Sequence, residues 1–239
     1  MSALTLTNAE ISIEVEFQAS TGSWFALALR ASDGWGGESH RGAIEPYYGY
    51  ALRWQGLHSN PSASLRVYDS GLSTELLAPT WSVDSARAGY RIRLQVEGSA
   101  FRVKQWLSVD EEPATWQTAV DETWGAPGEV RWGGARATTA QWTTSNAPRI
   151  YRVEIIDLDT AQTVLVDDFD GLVDTPPDPD KWSVETLHAV ISHRGDGTAR
   201  IVTGPDPDYY GFARLTAQGE ALPATYYYPH YIYGPTNPA

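Results

Sequence analysis

The chain has 239 residues, 42% of them hydrophobic, enough for one large all-β domain or one and a half ordinary ones. Its 17 Lys and Arg against 30 Asp and Glu give a formal net charge of -13, which excludes nucleic acid and anionic membranes as expected partners, since both need clustered cations. There is no cysteine, so disulfides and thiol chemistry are ruled out, and no apolar run is long enough for a spanning helix or membrane insertion. The start Met1-Ser2-Ala3-Leu4 lacks the basic and apolar regions of a secretory leader, so folding is expected in a cytoplasm.

Taken in order, Glu10 to Phe17 alternates strictly, with Ile11, Ile13, Val15 and Phe17 on one face, and predicts a strand. Ser20-Thr21-Gly22 turns it, and Trp24 to Arg30 returns. Residues 31–46 hold four glycines and no period, and read as an exposed loop. Tyr48 to Trp54 is a third strand, Ser64 to Tyr68 a fourth, and Thr74 to Ala78 a short fifth closed by Pro79. Tyr90 to Val96 and Phe101 to Leu107 form a hairpin about Glu97-Gly98-Ser99. In it Ile92, Leu94 and Val96 face inward with Phe101, Val103 and Gln105; the cations Arg91, Arg93, Arg102 and Lys104 face outward with Trp106.

The loop after the hairpin carries Glu111, Glu112, Pro113 and Trp116, and Trp116 is expected to fold back as core. Glu129 to Trp132 is the next strand, residues 135–149 a loop. Ile150 to Leu158 is a strong strand in which Tyr151, Val153 and Ile155 oppose Arg152, Glu154 and Ile156. Composition shifts after residue 158. Val164-Leu165-Val166 leads into Asp167-Asp168-Phe169-Asp170-Gly171 and the stiff stretch 175–182, and three further strands are expected at 198–203, 210–215 and 225–234. No helical period exceeds two turns. Short strands parted by Gly and Pro indicate an all-β sandwich or jelly roll of two antiparallel sheets.

The run WLSVDEEPATWQ at 106–117, followed by Asp121, Gly125-Ala126-Pro127-Gly128 and Val130, resembles the concanavalin A-like (LamG-type) jelly rolls of tailed-phage minor tail proteins, those of actinobacteriophages in particular. Glu122 between Asp121 and Thr123, and Arg131 where a glycine is usual, depart from that pattern. The resemblance covers roughly residues 10–158. It implies a virion structural protein of the tail, assembled in the host cytoplasm, whose partners are other virion tail proteins and a host cell-surface glycan. It implies no enzymatic activity.

The segment Asp167 to Gly171 with Trp182 is similar to the way such domains begin, yet here it follows the body. With 1–160 as the jelly-roll body, residues 161–239 either complete the same sandwich or start a second, subunit-shared β domain, which would favour a homotrimer.

Four side chains are the candidate carbohydrate-binding set: Trp35 in the glycine-rich loop, and Arg93, Arg102 and Trp106 on the hairpin's polar face, which Arg53, Arg66, Arg91, Lys104, Arg152 and Glu154 are expected to share. The same residue types can equally seal a protein interface, and the tyrosines of 226–233 favour subunit packing. Sandwiches of this kind often hold Ca2+ through Asp oxygens; Asp157, Asp167 and Asp168 are the candidates, with Asp159 and Asp170 beside them. Glu10, Ser12, Glu14 and Glu16 line one strand face, on which carboxylates at i and i+2 stand about 7 Å apart, a separation used by inverting glycosidases, and Glu10 and Glu14 flank Ser12. Ser12 replaces the aspartate that a jelly-roll glycosidase needs between them, so a solvated charged face is the expected reading. The five histidines show no zinc spacing, and there is no Gly-x-Ser-x-Gly.

Overall fold

The computed structural model describes residues 2–16, 23–35, 44–55, 62–79, 89–136, 148–203 and 211–219. Within them the chain is a jelly-roll-like sandwich of two antiparallel sheets. The first sheet holds β1 (Thr5–Leu6), β3 (Ser23–Trp35), β4 (Pro46–Gln55), β5 (Ser62–Asp69), β6 (Leu72–Leu77), β10 (Gly128–Arg136), β13 (Trp182–Leu187) and β16 (Gly211–Ala217), in the order β13-β16-β10-β3-β4-β5-β6. β1 pairs with β10 at Thr5↔Glu129 and Leu6↔Gly128, beyond the end of β16.

The second sheet holds β2 (Ala9–Glu16), β7 (Gly89–Glu97), β8 (Ala100–Leu107), β9 (Gln117–Val120), β11 (Arg149–Asp157), β12 (Gln162–Asp167), β14 (Ala189–His193) and β15 (Ala199–Thr203). Its order is β14-β15-β11-β2-β7-β8-β9, with β12 alongside the far end of β11. Strands after residue 160 thus hydrogen-bond to β10 in one sheet and β11 in the other.

Between the sheets lies one apolar core, fed by alternate residues of each strand. Ile11, Ile13 and Val15 of β2, Ile92, Leu94 and Val96 of β7, and Phe101 and Val103 of β8 meet Phe25, Leu27 and Leu29 of β3 and Tyr50, Leu52 and Trp54 of β4. Each fully buried large side chain contributes about 1.5–3 kcal/mol by leaving water. Trp132 crosses Trp182 edge to face at 5.8 Å between centroids. Buried rings with polar atoms need partners. Trp54 Nε1 donates across the sandwich to Gln105 Oε1 at 2.8 Å, which explains an amide on the inward face of β8. Trp182 Nε1 donates to Asp167 Oδ2 at 2.7 Å.

Three sequence expectations change. β3 runs to Trp35, through register shifts after Leu29 and Ser32, where a loop from residue 31 is expected; bulges hide a strand because they break its two-residue period. β11 has a register shift between Ile150 and Arg152, so Ile150 points inward and Tyr151 turns to the other face, where its hydroxyl donates to Glu16 Oε2. β9, β13 and β14 are additional strands; the last two are joined through His188 at φ 47, a corner that passes the chain from one sheet to the other. The strand expected at 225–234 lies outside the described residues.

Candidate functional site

On the outer face of the second sheet, four strands place their side chains in transverse rows fixed by register. One row is Arg152 (β11), Glu14 (β2), Arg91 (β7) and Trp106 (β8). The next is Glu154, Ser12, Arg93 and Lys104. Ser12 is the short member, flanked on all sides by long ones. The dip over it is a groove of about 370 Å³, with Glu10, Glu14, Arg91, Arg93, Trp106, Glu112, Arg152 and Glu154 among its walls.

The walls are ionic and paired. Arg93 holds Glu10 in a fork, Nε to Oε1 and Nη2 to Oε2 both at 2.8 Å, and reaches Glu112 Oε1 through Nη1 at 2.7 Å. The same Glu112 oxygen accepts from Lys104 Nζ at 2.9 Å. Arg91 Nε donates to Glu14 Oε2 at 3.2 Å. Arg152 bridges Asp168 and Glu154.

Burial pushes the Glu10 carboxyl above its ordinary 4.5, and Arg93 pulls it back only in part. Burial lowers Arg93, but Glu10 and Glu112 outweigh it and hold the guanidinium above its usual range. For Glu112 burial acts upward; Lys104 and Arg93 act more strongly, and its carboxyl lies below 4.5.

Trp106 is half-buried in the groove wall, on the polar face that alternation predicts. Trp116 is corrected. It is absent from the core and half-buried on this same outer face, with Lys104 Nζ 4.4 Å and the Arg93 guanidinium 5.3 Å from its ring centroid. Glu112 ties the loop to the same two cations, so the loop folds outward over charge and the indole satisfies them as a π face.

The other candidates do not gather in the groove. Trp35 ends β3, in the first sheet, opposite Pro46; its side chain lies outside the described residues. Arg53 and Arg66 belong to β4 and β5, so they stand on the first sheet, bound to Glu45 and to Ser73 and Glu75. Alternation assigns a face within a strand, but not which sheet owns it. Arg102 faces the right way but is drawn aside to Gln95 and Glu97, each at 2.8 Å.

The aspartates proposed for calcium fall into two places, Asp157 and Asp167 standing at opposite ends of the β11–β12 pair. Asp157 is buried and accepts from the Asp159 N–H; Asp159 accepts from Asn8. Asp167 takes the Phe169 N–H, the Trp182 indole and Lys181, and Asp168 takes Arg152. Asp168 and Asp170 share an open pocket with Asp167, but among the described residues no three His, Asp or Glu side chains form a group fit for a metal ion. His193 is buried with Nδ1 2.7 Å from Phe169 O, and His40, His58 and His230 lie outside the described residues.

Sequence reading undervalues Ser12 and Glu112. The available signal for Ser12 is a lone small residue inside Glu-x-Ser-x-Glu; for Glu112 there is none, because only the folded loop brings it to Arg93. No protein-family model matches this sequence, and no curated protein matches it.

Proposed function

We propose that this chain is a non-catalytic attachment module of a phage tail, which holds a host-surface glycan in the groove over Ser12. The observation that carries the reading is the groove itself: an indole, Trp106, set beside arginine and glutamate pairs over a floor kept open by one small residue. Sugar rings offer an apolar face for an aromatic and hydroxyls for charged hydrogen-bond partners. The virion setting, with other tail proteins as partners, is supported by the resemblance of residues 106–117. Retention of the purified chain on host cell walls tests it. Trp106→Ala is expected to weaken retention at least about tenfold, roughly 1.4 kcal/mol; undiminished retention would remove the groove from the proposal.

Glycoside hydrolysis is the second reading, favoured by Glu10 and Glu14 in one groove and by a raised Glu10 carboxyl, the state that a general acid needs. Against it, both Glu10 oxygens accept from Arg93, which leaves no proton placed for a leaving group. Release of reducing ends that Glu14→Gln abolishes would establish it.

A further inference from the structure

We infer that the groove selects uncharged oligosaccharides over acidic ones, and that Ser12 sets the depth to which they enter. The inference rests on the glycan reading of the same site.

Charge is the first argument. The groove is lined by three arginines and four glutamates, 3 − 4 = -1, in a chain of net charge -13. Moreover, each arginine already has its carboxylate: Arg93 has Glu10 and Glu112, Arg91 has Glu14, and Arg152 has Asp168 and Glu154. A uronate, sialate or phosphate entering here would have to displace one of these carboxylates or lie against it. Both outcomes leave like charges close in a partly desolvated cleft, a contact that suppresses wrong partners.

A hydroxyl meets no such conflict. It donates and accepts at once, whereas an ionised carboxylate only accepts and a guanidinium only donates. A Glu–Arg pair is therefore a complementary seat for one hydroxyl, which gives its proton to the carboxylate and takes one from the guanidinium without separating the two. Arg91 and Glu14 are joined through a single Arg91 nitrogen, and the Arg91 side chain is half exposed, so this pair has capacity left. Trp106 lies next to Arg91 in the same row and supplies the apolar wall.

Shape is the second argument. The row from β11 to β8 spans three inter-strand spacings, about 14 Å. Ser12 lies inside it with Glu154 and Arg93 as cross-strand neighbours. A longer side chain at that position would fill the dip from its floor while facing solvent, away from the core.

Binding of the full chain to arrayed neutral, uronic, sialylated and phosphorylated glycans, at low and high salt, tests this. Neutral glycans are expected to be retained with little salt dependence, and Ser12→Tyr and the milder Ser12→Gln to abolish retention while the circular dichroism spectrum is kept. The double variant Glu14→Gln/Glu154→Gln, which makes the lining 3 − 2 = +1, is expected to raise acidic-glycan binding at least about tenfold. Preferential retention of acidic glycans by the unmodified chain, released by salt, overturns the selectivity and leaves the glycan reading standing. If no glycan of any class is retained, the glycan reading itself falls and the selectivity with it; if retention ignores both Ser12 substitutions and Trp106→Ala, the groove is not the site and the inference falls.

Discussion

Arg30 shows how a single side chain fixes the frame behind the groove. It sits at a bulge of β3 at φ 51, buried, and donates Nε to Thr7 O, Nη1 to Trp124 O and Nη2 to Gly98 O, at 2.7, 2.8 and 2.7 Å. Three segments far apart in the chain are thereby tied at one guanidinium, among them the turn of the β7–β8 hairpin that presents Trp106. Burial lowers its pKa, yet an arginine remains charged, and carbonyl oxygens satisfy its donors. Two glycines make room: a Cβ on Gly128 would lie 2.4 Å from Arg30 C, and one on Gly49 2.4 Å from Arg30 O. Arg30→Ala is expected to cost about 3 kcal/mol in denaturant unfolding, in the range for lost charged hydrogen bonds and orphaned carbonyls. Arg30→Lys keeps the charge without the planar fork and should recover only part of it. Full stability of Arg30→Ala would show that the three segments hold themselves. Nothing in a strand pattern marks this residue, because its partners are main-chain oxygens from elsewhere.

At the scale of elements, the β7–β8 hairpin and the loop to β9 form the wall of the site. The hairpin was legible in detail: alternation puts Phe101, Val103 and Gln105 inward and Lys104 and Trp106 outward, and the register bears this out. The loop was not, since a segment without a period gives no face, and Trp116 could be placed only by the cations it covers. Glu112 is the hinge pin of that loop, and its carboxyl is lowered on folding. A lowered carboxyl stabilises the docked loop fully above its ordinary 4.5, and that contribution is lost as pH falls through the lowered value. Amide exchange in residues 110–117, taken relative to the intrinsic rate at each pH, is therefore expected to accelerate on acidification before the core strands respond, and to be fast already at neutral pH in Glu112→Gln. Equal acceleration in the loop and in β7 would refute local undocking.

For the whole molecule, two packed antiparallel sheets could be read from short alternating strands, and the core residues with them. The partnership of β11 with β2 and of β10 with β3 could not, because pairing across more than a hundred residues leaves no trace in local pattern. That pairing places Arg152 and Glu154 beside Glu14 and Ser12, and removes Arg53 and Arg66 to the other sheet. A tail component is also expected to self-associate, as a homotrimer in the simplest case; light scattering that shows only monomer at all concentrations would count against the tail setting while leaving the groove untouched.

The claim on which the account turns is that the outer face of β2, β7, β8 and β11 is where a glycan sits. Titration of the isotopically labelled chain with a retained neutral glycan, followed by amide and indole chemical shifts, tests it most directly. The account predicts perturbations centred on Ser12, Arg91 and the Trp106 indole, with Arg53 and Arg66 silent. Perturbations centred on β4 and β5, with Ser12 and Trp106 unmoved, would contradict it.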